Sequence, residues 1–443
     1  MSANEKFYCA RIYVTHKCNS NCSFCDTHDK IYKDIHEMNL EQAITLIQQL
    51  REIGVKYLDL TGGEPTLNVN LPEIISFANN LGIKTEVTSN VTAGLTDTLV
   101  KSAACARKFN ISLDTLNSEK YKKIRGVDKL KIVLSTIKKI AKIRAELNLI
   151  VPKLMTVVTE ENLEDVPDLI DFAAKNSLEI YLNPVFSYGQ MNFNLSEKLF
   201  EKLLSFTFKK NVIIPIHFLE MLRDLRQNKK NPCRCGATEQ ILTFAADGRI
   251  ILPCYHARER ILLPSPNIRE FLDGEEFKNY AKQKGTLPSC VNCAVSPYFG
   301  ISFSFRPDKY FILQSFSDRL EHVKRDFLNK LQFAEQPELL SSLKEFLTRL
   351  RALPPCQESV ADCWSLKNMP HQFFDEVYST VKLLNPKIDS EADFIREIPI
   401  FMLKWWNFST MHQRDLSNDI DWINNYLEKL KRIRKEAPDT IKL

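Results

Sequence analysis

The spacing of apolar residues in the first 185 positions alternates between a helical period and a strand period. Residues 39–53, NLEQAITLIQQLREI, have apolar positions at helical spacing, with Asn39 as a candidate N-cap and Gly54 as the stop. The run YLDL at 57–60 follows and is typical of a strand. The same pattern predicts strands at 8–15, 83–87, 109–113, 154–158 and 179–182, and helices at 71–81, 96–104, 129–147 and 162–175.

Strands that alternate with helices indicate parallel βα units. About six such units fit before residue 225. We therefore predict an α/β fold with a partial (βα)6 TIM-like barrel at 1–225, although the pattern alone also fits a doubly wound sheet. A small cysteine-rich region at 226–305 contains the hairpin signal ILTFAADGRIILPC, and an α-helical domain of unknown role follows at 306–443.

Bulk composition excludes some classes of protein. The formal net charge of +5 is small for 443 residues, which argues against a nucleic-acid partner. No apolar run approaches the roughly 18 residues that cross a bilayer, and charges interrupt the N-terminal segment, so we expect neither a membrane span nor a signal peptide. We expect a cytoplasmic protein whose twelve cysteines stay reduced, and clustered reduced cysteines indicate metal.

Four polar loops directly follow predicted strands. They are the cysteine loop CNSNCSFC, TGGEP, TSN at 88–90 and LDT at 113–115. In parallel α/β folds the chemistry gathers at the carboxyl ends of the strands. We therefore expect the four loops to form one site.

The cysteine loop carries Cys18, Cys22 and Cys25. A [4Fe-4S] cube has four irons, so three local ligands leave one iron open to bind another molecule. A zinc site is the alternative. The spacing CxxxCxxC, with Phe24 before the last cysteine, resembles the signature of the radical S-adenosylmethionine (SAM) enzymes. The resemblance implies that the open iron chelates SAM, whose reductive cleavage yields a 5′-deoxyadenosyl radical that abstracts hydrogen from substrate.

Other motifs of this family follow in order. Gly62, Gly63, Glu64 and Pro65 match its GGEP stretch. Glycines allow close approach of the backbone to a ligand, and a carboxylate suits the ammonium group of methionine. The resemblance also implies SAM contacts for a further set of residues: Ser89 and Asn90 at the ribose, Ser112 and Asp114 in the SLD stretch, and Arg125 at the carboxylate.

A second cysteine group at Cys235, Cys254, Cys290 and Cys293 resembles the auxiliary-cluster region called SPASM or, in its shorter form, twitch. The resemblance implies an auxiliary [4Fe-4S] cluster with four protein ligands. A structural four-cysteine zinc site fits the spacing as well, and Cys233 rivals Cys235 as ligand. The spacing from Gly248 to Cys254 is one residue longer than is usual for SPASM.

These resemblances imply a radical SAM enzyme of the oxidoreductase or cyclase and crosslinking type, reduced by a reductase or flavodoxin-type electron donor. We rank a peptide matured by oxidation or crosslinking and a sugar or aminocyclitol as the leading substrates. Residues 108–126 also resemble the GTP 3′,8-cyclase, but that enzyme's three auxiliary cysteines and Gly-Gly terminus are not matched here, so we rank a nucleotide third. The alternative classes are a non-catalytic iron–sulfur protein and a zinc-binding protein. The sequence identifies no general base.

Overall fold

The fold is described on a computed structural model of the chain. It describes residues 9–25, 30–32, 35–187, 195–228, 235–238, 241–299, 309–326 and 337–352. The chain divides into two compact units, Met1–Gly300 and Ile301–Leu443. The predicted division into three domains stays a prediction.

The centre of the first unit is a run of parallel strands that pair in chain order. The strands are β1 (Cys9–Thr15), β2 (Tyr57–Gly62), β3 (Lys84–Ser89), β4 (Lys108–Ser112), β5 (Lys153–Val158), β6 (Glu179–Pro184) and β7 (Val212–Ile213). Sequential parallel pairing with helical crossovers is the arrangement of a TIM-like barrel. The strand order ends at β7 on one side, so the barrel is partial.

Helices connect these strands. They are α1 (Leu40–Glu52), α2 (Leu71–Asn80), α3 (Asp97–Cys105), α4 (Ser118–Arg125), α5 (Leu130–Glu146), α6 (Val166–Lys175), α7 (Glu197–Ser205) and α8 (Ile216–Asn228). The predicted start of α1 is confirmed, because Asn39 and Gln42 form a reciprocal capping box. Gly54 follows at a positive φ of 91°, a conformation that glycine adopts without strain.

The strands have two different faces. Alternate residues such as Ile12, Leu60 and Val87 are buried, and the helices pack on this side, as α2 does on β3 and α6 on β6. Residues in between, such as Arg11 and Asp59, are polar and partly exposed. Successive side chains of a strand point to opposite faces, so the polar set lines the inner face of the partial barrel.

The predicted hairpin in the cysteine-rich region is confirmed. Its strands are β8 (Ile241–Phe244) and β9 (Ile250–Leu252), which pair antiparallel, and β10 (Ile261–Leu263) pairs with β9. Strand β8 also pairs in parallel with β1, so one sheet runs from β10 to β7. The helices α9 (Ile268–Asp273) and α10 (Glu275–Ala281) follow.

The described part of the second unit consists of α11 (Lys309–Asp326) and α12 (Pro337–Arg351). The rings of Phe316 and Phe346 lie 5.9 Å apart and join these two helices. The predicted helical structure is therefore confirmed for these residues, while 353–443 lie outside the described residues. In the described part of the chain, no helix is both long enough and apolar enough to cross a membrane.

Candidate active site

The cysteine loop follows β1 and keeps its three thiols close together. Cys18, Cys22 and Cys25 are each half-buried. Burial is the main cause that raises the pKa of Cys18 to about 11, and the neighbouring Glu64, Cys22 and Cys25 raise it further. Three thiolates this close repel one another unless a positive charge lies among them, and a metal provides that charge. The donor set therefore fits an iron–sulfur cluster with three protein ligands.

The C-terminal end of α4 holds the cysteine loop by its backbone. The amide of Asn21 donates to the carbonyl of Arg125 at 3.0 Å, and the amide of Ser23 donates to that of Ile124 at 2.9 Å. Gly126 ends the helix at a φ of 69°, and a Cβ atom there would lie 2.5 Å from the carbonyl oxygen of Asn21. The sequence IRG thus has a structural role that sequence reasoning missed.

The two glycines of GGEP lie against the segment that leads into the cysteine loop. A Cβ atom on Gly62 would lie 2.3 Å from the carbonyl oxygen of Thr15, and one on Gly63 would lie 2.2 Å from that of Lys17. The amides of Gly63 and Glu64 donate to these same two carbonyls at 3.0 and 2.9 Å. The glycines therefore allow protein backbone to approach, a reason different from the predicted approach of a ligand.

Glu64 joins the loops that follow β2 and β3. It is 1% exposed, and its Oε1 accepts hydrogen bonds from Thr66 and from the Ser89 hydroxyl at 2.7 Å. Its Oε2 accepts from the amide of Asn90 at 2.7 Å. Burial raises the pKa of Glu64, and these hydrogen bonds oppose the shift. Pro65, also buried, begins the turn that presents Thr66. A contact between Glu64 and the SAM ammonium stays a prediction.

Asn90 contacts the cysteine loop directly. Its Nδ2 donates to Asn19 Oδ1 at 2.9 Å and to Ser20 Oγ at 3.2 Å, and lies 3.8 Å from Cys18 Sγ. Its Oδ1 accepts from Thr92 at 2.9 Å, which fixes the amide orientation. The β3 loop therefore positions the first cysteine, through two polar partners that the sequence did not single out.

A buried ion pair connects the end of β4 to the cysteine loop. Arg125 Nε lies 2.5 Å from Asp114 Oδ2, with side chains 7% and 0% exposed. The Arg125 guanidinium also lies 3.7 Å from Cys22 Sγ and 5.5 Å from the centre of the Phe24 ring. Ser112, the last residue of β4, is half-buried. The four predicted loops thus meet at one end of the sheet, as expected, whereas the individual SAM contacts stay predictions.

The second cysteine group also lies together. Cys235, Cys254 and Cys293 pack around Val295 and Tyr298. Cys254 interacts electrostatically with Cys235 and Cys293, and Cys293 interacts with Cys290. Burial is the main cause that raises the pKa of Cys293 to about 12. Four half-buried thiols that lie near one another fit a site with four cysteine ligands.

The choice between Cys233 and Cys235 stays open, because Cys233 lies outside the described residues. Within the described ranges, no group of three or more His, Cys, Asp or Glu side chains converges as the ligands of a single metal ion. The cysteines of an iron–sulfur cube bind different iron atoms, so they need not converge on one point.

Stacked aromatic rings connect the two cysteine regions. Tyr13 stacks on Tyr255 at 4.1 Å, and His16 stacks on Tyr32 at 4.2 Å. The Arg260 guanidinium lies 5.0 Å above the Tyr32 ring. His16 precedes the first cysteine loop and Tyr255 follows Cys254, so this packing ties the two regions to each other.

The part of the chain that forms the candidate site also matches a known protein family. Residues 12–173 match the Radical SAM superfamily, and this range includes all four loops of the site. The chain is 31% identical over 267 residues to the probable GTP 3′,8-cyclase of Sulfurisphaera tokodaii, which covers 57% of this chain and 82% of the relative. It is 36% identical over 183 residues to that of Sulfolobus acidocaldarius, covering 40% of this chain and 56% of the relative. The chain belongs to the radical SAM superfamily.

It is therefore a radical SAM enzyme that uses a [4Fe-4S] cluster and S-adenosylmethionine. SuiB of Streptococcus suis bound to S-adenosylmethionine has a similar fold, with a TM-score of 0.51 at 17% identity over 66% of this chain and 70% of that chain. SuiB bound to the precursor peptide SuiA gives a TM-score of 0.52 over 66% and 71% of the two chains. These likenesses confirm the predicted fold class.

Proposed function

We propose that Cys18, Cys22 and Cys25 hold the [4Fe-4S] cluster at which this enzyme cleaves SAM. When bound, the cluster supplies the electron that converts SAM to methionine and a 5′-deoxyadenosyl radical. The observation that carries the proposal is the convergence of the β2, β3 and β4 loops on the cysteine loop through Glu64, Asn90 and Arg125. These contacts fix the positions of the thiols before any cluster is bound, which favours a single cluster geometry.

The side chains around the cysteines have complementary roles in this proposal. The Arg125 guanidinium is a fixed cation beside Cys22, suited to a carboxylate such as that of SAM. Asp114 holds that guanidinium in place. Ser89 and Asn90 are buried in the turn next to Cys18.

Cys235, Cys254, Cys290 and Cys293 are proposed to hold the auxiliary [4Fe-4S] cluster. Four protein ligands leave no open iron, so the substrate would not bind this metal directly. When bound, this cluster would supply an acceptor for one electron of the substrate radical, and loss of one proton would complete a net two-electron oxidation or bond formation. The stacked rings of Tyr13 and Tyr255 support the proposal, because they hold the two cysteine regions close to each other.

Three substrate classes remain in this proposal. A ribosomal peptide is the first, and a small metabolite such as a sugar or aminocyclitol is the second. A nucleotide is the third, and it gains support from relatives named GTP 3′,8-cyclase, one of which aligns over 82% of its length. Several other relatives of that name align over about half of their length, as the 56% of the Clostridium perfringens protein illustrates.

The test is anaerobic reconstitution followed by reduction in the presence of SAM. The wild-type protein should hold about eight irons, the content of two [4Fe-4S] clusters, and should form 5′-deoxyadenosine. Replacing Cys22 with Ser should abolish 5′-deoxyadenosine, and Cys254→Ser should leave about four irons and retain it. Cys105→Ser, outside both groups, is the matched control. Zinc without sulfide, or iron without SAM cleavage, would refute the proposal.

A further inference from the structure

A row of charged side chains runs across the inner face of the partial barrel. One residue comes from each of the first six strands: Arg11, Asp59, Glu86, Lys108, Lys153 and Glu179. We call this row the charged belt. Four members occupy one register, since Arg11 pairs with Asp59, Asp59 with Glu86 and Glu86 with Lys108. The belt then steps along β4 by two residues, because Lys153 pairs with Asn110, and it continues where Lys153 pairs with Glu179.

The belt lies on the face of the sheet opposite the connecting helices. Its neighbours along the strands, including Ile12, Leu60, Phe109 and Leu154, are at most 1% exposed and form the helix-covered core. Side chains that fill a closed TIM barrel are mainly branched and apolar. The inner face here instead presents charged donors and acceptors, the kind of group that fixes the orientation of a ligand. The face therefore has the chemistry of a binding surface.

Every cation of the belt has a carboxylate partner on a neighbouring strand. Arg11 Nε lies 2.7 Å from Asp59 Oδ2, and Lys153 Nζ lies 3.5 Å from Glu179 Oε2. Lys108 Nζ lies 3.7 Å from Glu86 Oε2. The belt therefore has three positive and three negative charges, and its formal charge is zero.

The next polar residues on this face continue the pairing. Asn110 donates to Glu86 at 2.7 Å, and Lys84 donates to the Tyr57 hydroxyl at 3.2 Å. The side chains of the belt are between 19% and 45% exposed, so solvent reaches both the cations and the carboxylates. A ligand at this surface meets donors and acceptors in alternation.

We propose that the charged belt is the substrate-facing wall of this enzyme and that its paired charges select a zwitterionic substrate, such as a peptide segment, over a polyphosphate. A triphosphate is best bound by arginines and lysines that are available to it. Here a triphosphate would have to draw each cation away from its carboxylate and would meet three negative charges. A substrate that carries both ammonium and carboxylate groups can pair with both signs. This inference rests on the proposed function and specifies its substrate.

The test uses GTP as the probe on the full-length, reconstituted protein with SAM present. The variant Asp59→Asn/Glu86→Gln/Glu179→Gln removes the three carboxylates and keeps their shape. We expect GTP binding, measured by isothermal titration, to be at least about tenfold tighter in this variant than in the wild type, a change that corresponds to about 1.4 kcal/mol. Added salt should reduce the gain.

A matched control separates the belt from net charge. Glu41→Gln/Glu73→Gln/Glu119→Gln removes three exposed carboxylates from α1, α2 and α4 and should leave GTP binding unchanged. The single variant Asp59→Asn, which frees Arg11 alone, should give part of the gain and serves if the triple variant does not fold. Wild-type GTP binding as tight as that of the belt variants, no gain in either belt variant, or an equal gain in the control would overturn the inference.

Formation of 5′-deoxyadenosine distinguishes failure of the proposed function from failure of the substrate inference. Its absence would refute the proposed function without reference to GTP. Its presence together with tight wild-type GTP binding would refute only the substrate inference.

Discussion

The Asp114–Arg125 ion pair offers a direct test of how the β4 loop supports the cysteine loop. Both side chains are nearly inaccessible, at 0% and 7% exposure, and their charged atoms are 2.5 Å apart. Removing one member of such a pair leaves an uncompensated buried charge and costs about 3–5 kcal/mol. We therefore expect Asp114→Asn and Arg125→Met each to lower the free energy of unfolding by about that amount.

The double variant discriminates between pairing and simple loss of packing. Asp114→Asn/Arg125→Met leaves no buried charge, so its loss of stability should fall short of the sum of the single losses by at least about 1 kcal/mol. The assay is urea unfolding of the cluster-free protein, followed by circular dichroism, with the slope compared among variants. The exposed pair Lys101 and Asp97, 2.8 Å apart on α3, is the matched control and should show little coupling. Additive losses at Asp114 and Arg125 would refute the reasoning.

Two further predictions concern positions where one residue supports many contacts. Gly126→Ala should abolish iron at the first site and leave about four irons at the second, because its Cβ would lie 2.5 Å from the Asn21 carbonyl oxygen. Gly82 is the control: it has a similar φ of 74°, and a Cβ there would have no atom within 4 Å. Gly82→Ala should therefore keep the full iron content. Equal loss in both variants would attribute the effect to backbone strain alone. Arg144→Met should lower the unfolding free energy by about 3 kcal/mol or more, because buried Arg144 donates to several backbone carbonyls, those of Ala103, Ala106, Arg107 and Ile150. Arg51→Met, which removes one exposed hydrogen bond to Leu81, should change it little, and equal denaturation midpoints for these two arginine variants would contradict the account.

The regular elements were predictable because their signals are local. The capping box at Asn39 and the alternating strands need only neighbouring residues. Helix α4 was missed, since its sequence SEKYKKIR is mostly charged and its buried face has only Tyr121, Ile124 and Arg125. The pairing of β8 with β1 was also missed, because residues so far apart in sequence leave no periodic signal of their contact.

The candidate site was predictable as a set of loops but not as a network. The motifs identified which loops meet, since the carboxyl ends of parallel strands share one end of a sheet. They did not predict that Glu64 would accept hydrogen bonds from Ser89 and Asn90, or that the glycines of GGEP would face Thr15 and Lys17. Such contacts depend on three-dimensional distances between separate loops. Similarly, the charged belt becomes visible only when the strand pairing places its residues on neighbouring strands of one face.

The central claim is that the cluster held by Cys18, Cys22 and Cys25 has an open iron that binds SAM. Electron paramagnetic resonance of the reduced Cys254→Ser variant tests it most directly, because that variant should retain only the first cluster. We predict that adding SAM changes the spectrum of this cluster and that the change is lost when Arg125→Met is introduced. A [4Fe-4S] spectrum that is identical with and without SAM would contradict the claim.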